Sequence, residues 1–347
     1  MPETATKPVS KDDRLDPAKI VRARRFPMLG YVLRRALAGV ATLFVASALI
    51  FGSIQILPGN VIQVVLGRSA SPERLAQLES QLQLNGSLWH RYLAYVGNFV
   101  RGDFGESTAA MVQGSHIAVG DVVWPAVGNS LILSSIVLLF FIPLAGSIGL
   151  ISGLRPGGLI DHFLSNSTLA VSALPEFLIG TMLIFVFFLK LGWFPPISAV
   201  PDSGSPLSDL SSLVLPVLTL LLISLAFGAR QLRASVVEVM TREYISVARL
   251  NGIGEGRIIF RYLLPNALVP SVQILAQQIQ YLLGGIVVVE SVFNYPGIGQ
   301  KLVRAIAARD IQEIMIIATV LAFTYIAINI LADIAGMLLD PRVRTSL

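Results

Sequence analysis

Six stretches of about 20 mostly apolar residues, each bounded by polar segments, limit this chain to very few architectures. A helix rises about 1.5 Å per residue and a bilayer's hydrocarbon core is about 30 Å thick, so each stretch is long enough to cross. Residues 36–57, 130–154, 210–229 and 265–289 carry no charge, although the last is rich in glutamine; 166–189 holds only Glu176 and 314–339 only Asp333. In lipid every backbone N–H and C=O must be paired within the structure, so the stretches predict an all-α membrane protein with six transmembrane helices. Composition agrees. Only 14% of the 347 residues are charged and 54% are hydrophobic, against about 25% charged in a soluble domain.

Lys and Arg concentrate on the cytoplasmic side of membrane proteins. With the N-terminus inside, segments 1–35, 155–165, 230–264 and 340–347 hold 18 basic residues, and the outer segments 58–121, 190–209 and 290–313 hold 8. Both termini are therefore expected in the cytoplasm. The organisation that follows is a basic tail over 1–30, a first transmembrane helix within 31–57, and an external segment over 58–121. A five-helix core over 122–339 then contains the cytoplasmic loop 230–264, and 340–347 form a cytoplasmic end. The first apolar run follows 35 polar, basic residues and is longer than the 7–15 residues of a signal-peptide core, so it is expected to stay as an anchor. Residues 1–16 read as disordered; 17–35, basic and partly apolar, suit the inner leaflet or simply set topology. Leu75, Leu78 and Leu82 predict a short amphipathic helix over 72–84. A second is expected over 88–100, with Trp89, Tyr92, Tyr95 and Phe99 suited to the interface.

Several chemistries find no support. There is no cysteine, and His90, His116 and His162 stand apart, so no metal site is expected. No phosphate-binding G-x-x-x-x-G-K-[ST] occurs; the glycines at 252, 254 and 256 follow a helical pattern without a preceding strand and read as a turn. No nucleophile elbow appears. The chain is expected to be no enzyme and to hold no cofactor. A self-contained channel or secondary transporter is the competing class, but neither an inverted repeat nor a pair of broken helices is evident.

The loop 230–264 is the longest inner connection. Val236, Val239, Met240, Glu243, Val247 and Leu250 recur at helical spacing, Gly252 is the expected stop, and a second short helix is expected over 257–263 before Pro265 and Pro270 open the fifth span. In a chain without an energy source of its own, such a loop is a place to receive force from a partner; a surface helix that only caps the bundle would show the same pattern. Within the membrane, Gln273, Gln277, Gln280 and Gly284 fall on one helix face. Such a stripe lines a translocation path or bonds neighbouring helices. Glu176, after Pro175, suits either a substrate ammonium or a hydrogen bond at a kink. Asp333, near the inner end of the sixth span, suits an interface or a snorkelling group.

The loop resembles the "EAA" signature of ATP-binding-cassette importer permeases. Ala248, Gly252 and Leu264-Pro265 keep its spacing, while Ser246, Val247 and Tyr262 depart from it. Further blocks resemble the B-type membrane subunit of oligopeptide/dipeptide transporters. They are Arg34-Arg35 before a span ending Leu57-Pro58-Gly59, Trp89-His90-Arg91-Tyr92, Gly102-Asp103-Phe104-Gly105-Glu106-Ser107, the run from Glu290 to Gly299, and Asp340-Pro341-Arg342-Val343-Arg344. The resemblance implies a type I importer permease fold in a bacterial inner membrane. It also implies a second homologous permease, two ATPase subunits that bind the ATP and Mg, and an external substrate-binding protein. Glu243, Tyr244, Ile245, Ala248, Arg249 and Gly252 would then form the coupling helix that seats in an ATPase subunit. Gln273, Gln277, Gln280, Gly284 and Glu176 would line the path of a peptide substrate. Nickel chelates, glutathione or sugars are the alternatives within the family.

Overall fold

The computed structural model describes residues 26–55, 87–198 and 204–339, apart from some side chains within 26–31, 268–285 and 335–339. The helix expected over 72–84, the tail 1–25 and the end beyond 339 lie outside the described residues. Among the described residues the chain is helical, with one isolated bridge between Glu106 and Ala118.

In chain order the helices are α1 (Phe26–Gln55), α2 (Leu88–Arg101), α3 (Thr108–Val112), α4 (Val119–Leu154), α5 (Leu159–Ser172), α6 (Glu176–Leu183), α7 (Leu210–Met240), α8 (Glu243–Leu250), α9 (Glu255–Ile258), α10 (Leu264–Val292), α11 (Ile298–Ala308) and α12 (Ile311–Leu339). Four of them, α1, α4, α7 and α12, are long and apolar enough to cross a membrane. The bent pair formed by α5 and Glu176–Lys190 makes a fifth crossing if counted as one. The glutamine-rich α10 has 29 residues, about 44 Å of helix.

The expected continuous span over 166–189 is instead broken. The segments Leu159–Ser172 and Glu176–Lys190 meet at 105°. Pro175 is the cause: it lacks an N–H and biases Leu174 away from helical angles. Pro175 itself sits at φ −63°, ψ 147° as the N-cap of α6. Two expected boundaries also move. The fourth span does not stop at 229, because α7 runs on to Met240. The second loop helix is only four residues long and passes through a π-turn, Ile259–Leu263, into α10.

The most apolar window of α7 is 61% buried, against 17% for α1, 22% for α4 and 28% for α12. Helix α7 is therefore the centre, and the others turn apolar faces outward: Leu37, Val40 and Leu49 on α1 and Leu139 and Phe140 on α4 are exposed, as lipid-facing surface requires. The main core joins Leu133, Val137 and Phe141 of α4, Leu213–Leu221 positions of α7, and Leu282, Ile286 and Val289 of α10.

A second core ties α1, α2 and α12 together with the start of α4. Tyr92 and Tyr95 of α2 are buried against Phe51, Ile54 and Met315, so two of the aromatics expected at the interface are tethers, while Trp89 stays exposed. The Tyr92 hydroxyl donates to the Phe44 carbonyl at 2.9 Å, and that of Tyr95 donates to the Met315 carbonyl at 3.2 Å. Burial pushes the Tyr95 hydroxyl up to about 12. Asp333 pairs with Arg35, joining α1 to α12 as an interface group.

Candidate functional site

Helix α8 coincides with the core of loop 230–264. Ile245 and Ala248 are buried and pack on Ile258, with Met240, Ile253 and Tyr262 around them. Their side chains hold the short helix to α9 rather than face outward. Tyr244, Val247 and Leu250, by contrast, are exposed, Leu250 at 88%, as is Phe260 at 73%. Eight residues make a marginal helix alone; the inward pair anchors this one and the outward set is left as an apolar face.

Gly252 ends the helix as its sequence position predicts. Its φ is +75°, a left-handed conformation that is costly for a residue with a Cβ. Gly252 N–H donates to the Arg249 carbonyl at 2.9 Å and Ile253 N–H to the Ala248 carbonyl at 3.1 Å, the paired bonds of a Schellman stop. Arg249 then clasps Glu255 through Nε at 2.8 Å and Nη2 at 3.3 Å, bridging the turn. That carboxylate raises the Arg249 guanidinium above its ordinary range. Glu243 is exposed in the first turn, where a carboxylate favours the helix dipole.

The loop is braced from within. Asp161 of α5 is 3% exposed and accepts from Arg233 of α7 through Nε and, at 2.7 Å, Nη2. It also accepts from Gly157 N–H at 2.8 Å and Ser165 Oγ at 3.1 Å. All of its acceptor capacity is used, which a buried carboxylate requires.

The polar stripe divides. Gln280 donates to Asn329 of α12, a bond between neighbouring helices. Gln277 is exposed and accepts from Gln231 at 3.3 Å. Gly284 is also exposed, with open space where a Cβ would stand. The side chain of Gln273 lies outside those described. Glu176 is half-buried at the break between α5 and α6 and accepts from the Tyr281 hydroxyl of α10. It lines a cavity with Pro175, Phe177, Phe227 and Tyr281. Glu176 thus joins the α10 face at Tyr281, between Gln277 and Gly284.

Two carboxylates that sequence reasoning did not single out organise the elements around α3, α11 and the start of α12. Glu290 is fully buried and accepts from Ser130 Oγ and from the N–H groups of Gly299 at 2.8 Å and Gln300 at 3.2 Å, capping α11. A Cβ at Gly297 would stand 1.9 Å from its carboxylate. Asp310, also buried, accepts from Thr108 N–H and Glu313 N–H, both at 3.1 Å, and so caps α3 and α12 together. The available signal was an acid just before a Pro-Gly turn and an acid just before an apolar run.

Helices long and apolar enough to cross a membrane, joined by a loop that carries a braced helix with an exposed apolar face, suit a membrane transport subunit. The chain belongs to the family described as "Binding-protein-dependent transport system inner membrane component", which matches residues 145–345, and its N-terminal companion matches residues 28–142. It is a permease of a binding-protein-dependent ATP-binding-cassette importer, set in the bacterial inner membrane. The chain is 33% identical over 319 residues to the glutathione transport system permease protein GsiC of Escherichia coli (strain K12), covering 91% of this chain and 99% of that one. It is 32% identical over 342 residues to the di/tripeptide transport system permease protein DppB of Pseudomonas aeruginosa (strain UCBPP-PA14), at 91% and 99%. A probable peptide ABC transporter permease protein of Sinorhizobium fredii, y4tP, is 29% identical over 314 residues, at 90% and 99%.

Proposed function

We propose that the chain is one of two homologous channel-forming subunits of an importer for short peptides. It has six membrane-crossing helices, with α10 and the bent α5–α6 pair each counted as one, and both termini in the cytoplasm. ATP and Mg are bound by two separate ATPase subunits, and this chain holds no nucleotide. A substrate-binding protein delivers peptide to the outer platform of residues 58–121 and 290–310. The segment 243–252 is the coupling helix. ATP-driven closure of the ATPases moves it and rocks the permease pair, which works only if nucleotide binds the two states with different affinity.

The observation that carries this reading is the exposed apolar face of α8. A solvent-exposed row of Tyr244, Val247 and Leu250 on a helix held from behind by Ile245 and Ala248 is suited to a groove on a partner. Glu243 and Arg249 flank the face, and Gly252 sets the turn. Names of relatives support peptide as cargo; the glutathione relative favours glutathione as a second reading, and glutathione is itself a short peptide. Gln277 and Glu176 offer polar groups along the path, Gly284 leaves open space on the same face, and Gln273 is assigned to that face by its spacing.

The test uses the absence of native cysteine. A single Tyr244→Cys or Leu250→Cys should crosslink to an ATPase subunit in a nucleotide-dependent way, while Ala248→Cys, facing inward, should not. Gly252→Asp adds a Cβ at a left-handed position, at about 1–3 kcal/mol, and should release the ATPases by roughly tenfold or more while the permeases stay paired. Normal transport by Gly252→Asp with no crosslink from 244 or 250 overturns the assignment.

A further inference from the structure

The break between α5 and α6 opens a cavity with two charged groups at its edges. Its volume is about 330 Å³, at the lower end of the roughly 300–1,000 Å³ of small-ligand sites. Glu176 lines it at the start of α6, held by the Tyr281 hydroxyl. Ser172 and Phe227 also line it, and Arg230 touches both: its Nη1 lies 3.3 Å from Ser172 Oγ and its guanidinium 5.8 Å from the Phe227 ring centroid. Neither Glu176 nor Arg230 has an ion-pair partner among the described residues.

A carboxylate on the wall of a largely apolar cavity, and a guanidinium resting on two of that cavity's lining residues, each without an opposite charge, are costly unless something complements them. One molecule that does so carries an ammonium and a carboxylate a few ångströms apart. We infer that this cavity is a transit site for the zwitterion of a short peptide, with Glu176 taking the α-ammonium and Arg230 the α-carboxylate. The inference rests on the reading of the chain as a peptide importer. Tyr281 is a positioning residue: its hydroxyl fixes the Glu176 carboxylate and leaves the second oxygen for the ligand. Phe177, Phe227 and Val288 supply the apolar remainder of the wall and carry no group that would select one peptide side chain, so the site reads the two termini and tolerates what lies between. The volume suits two or three residues rather than an extended chain.

The test is made on the assembled complex with its partner permease, ATPases and binding protein. A single Phe177→Cys on the wall serves as reporter, because no native thiol competes. Dialanine should protect that thiol from alkylation, and N-acetyl-dialanine and dialanine amide should not. Adding Glu176→Gln should weaken dialanine protection about tenfold or more, as loss of a charge-assisted hydrogen bond does, and Arg230→Gln should do the same. Glu176→Asp should restore part of it, and Tyr281→Phe should weaken it less than Glu176→Gln. In transport assays the two charge-removing variants should slow dialanine uptake. Equal protection by free and blocked dipeptides, or unchanged protection in both charge-removing variants, overturns the site while peptide uptake by the unaltered complex continues. No peptide uptake by the unaltered complex overturns the peptide reading and this inference with it.

Discussion

At the residue scale, the glutamines of α10 do different work despite sharing a face. Gln280 reaches Asn329 on α12, whereas Gln277 stays exposed beside Gln231. Interhelical bonds of this kind are worth about 0.6–2 kcal/mol, so Gln280→Leu should loosen α10 from α12 and lower the thermal midpoint of the purified complex by a few degrees. Gln277→Leu should leave that midpoint unchanged and slow uptake or alter its specificity. Uptake that is normal in Gln277→Leu, with subunit association failing instead, would make the whole stripe a helix-packing device. The same separation of duties appears on α8, where Ile245 and Ala248 support and Tyr244, Val247 and Leu250 present. Spacing alone placed all of these on one short helix; only the fold of α9 back onto it decided which side is covered.

At the element scale, α7 is a single rod from Leu210 to the turn before α8. Arg233 near its inner end is pinned to Asp161 of α5, and α5 leads to the break at Pro175. We propose that this pin carries displacement of the coupling loop to the bent pair. Asp161→Asn keeps the volume and removes the charge; loss of a hydrogen bond to a charged group costs about 1.5–3 kcal/mol. The variant should still assemble, hydrolyse ATP with less substrate moved per ATP, and regain coupling poorly with Arg233→Lys, which lacks the planar fork. The charge-reversed pair Asp161→Arg with Arg233→Asp should recover part of the ratio. An unchanged ratio of substrate moved to ATP hydrolysed in Asp161→Asn would show that the pin only stabilises.

At the scale of the whole molecule, the basic asymmetry of 18 to 8 predicts where each end lies. Single cysteines introduced by Ser10→Cys and Thr345→Cys should be protected from an impermeant thiol reagent in intact cells. Gln113→Cys, on the exposed turn after α3, should be labelled. Labelling at 10 or 345 would overturn the orientation. Two buried carboxylates cap helices to which they do not belong: Asp310 reaches α3 across about 200 positions, and Glu290 reaches α11 across a tight turn.

The sequence by itself determined that the chain is helical and crosses a membrane, because lipid admits few other ways to pair a backbone along 20 apolar residues. It also determined the place of the short helix in loop 230–264, the stop at Gly252 and the helix 88–100, since periodicity and a left-handed glycine are local signals. The bend at Pro175 was locally signalled too, but the apolar run on either side concealed it. What only the tertiary structure decided is which polar groups meet: Glu176 with Tyr281, Gln280 with Asn329, Arg233 with Asp161. Those pairs join residues 49 to 105 positions apart, and no local pattern records them, because they depend on how long helices lie against one another and on which face each is left to turn inward.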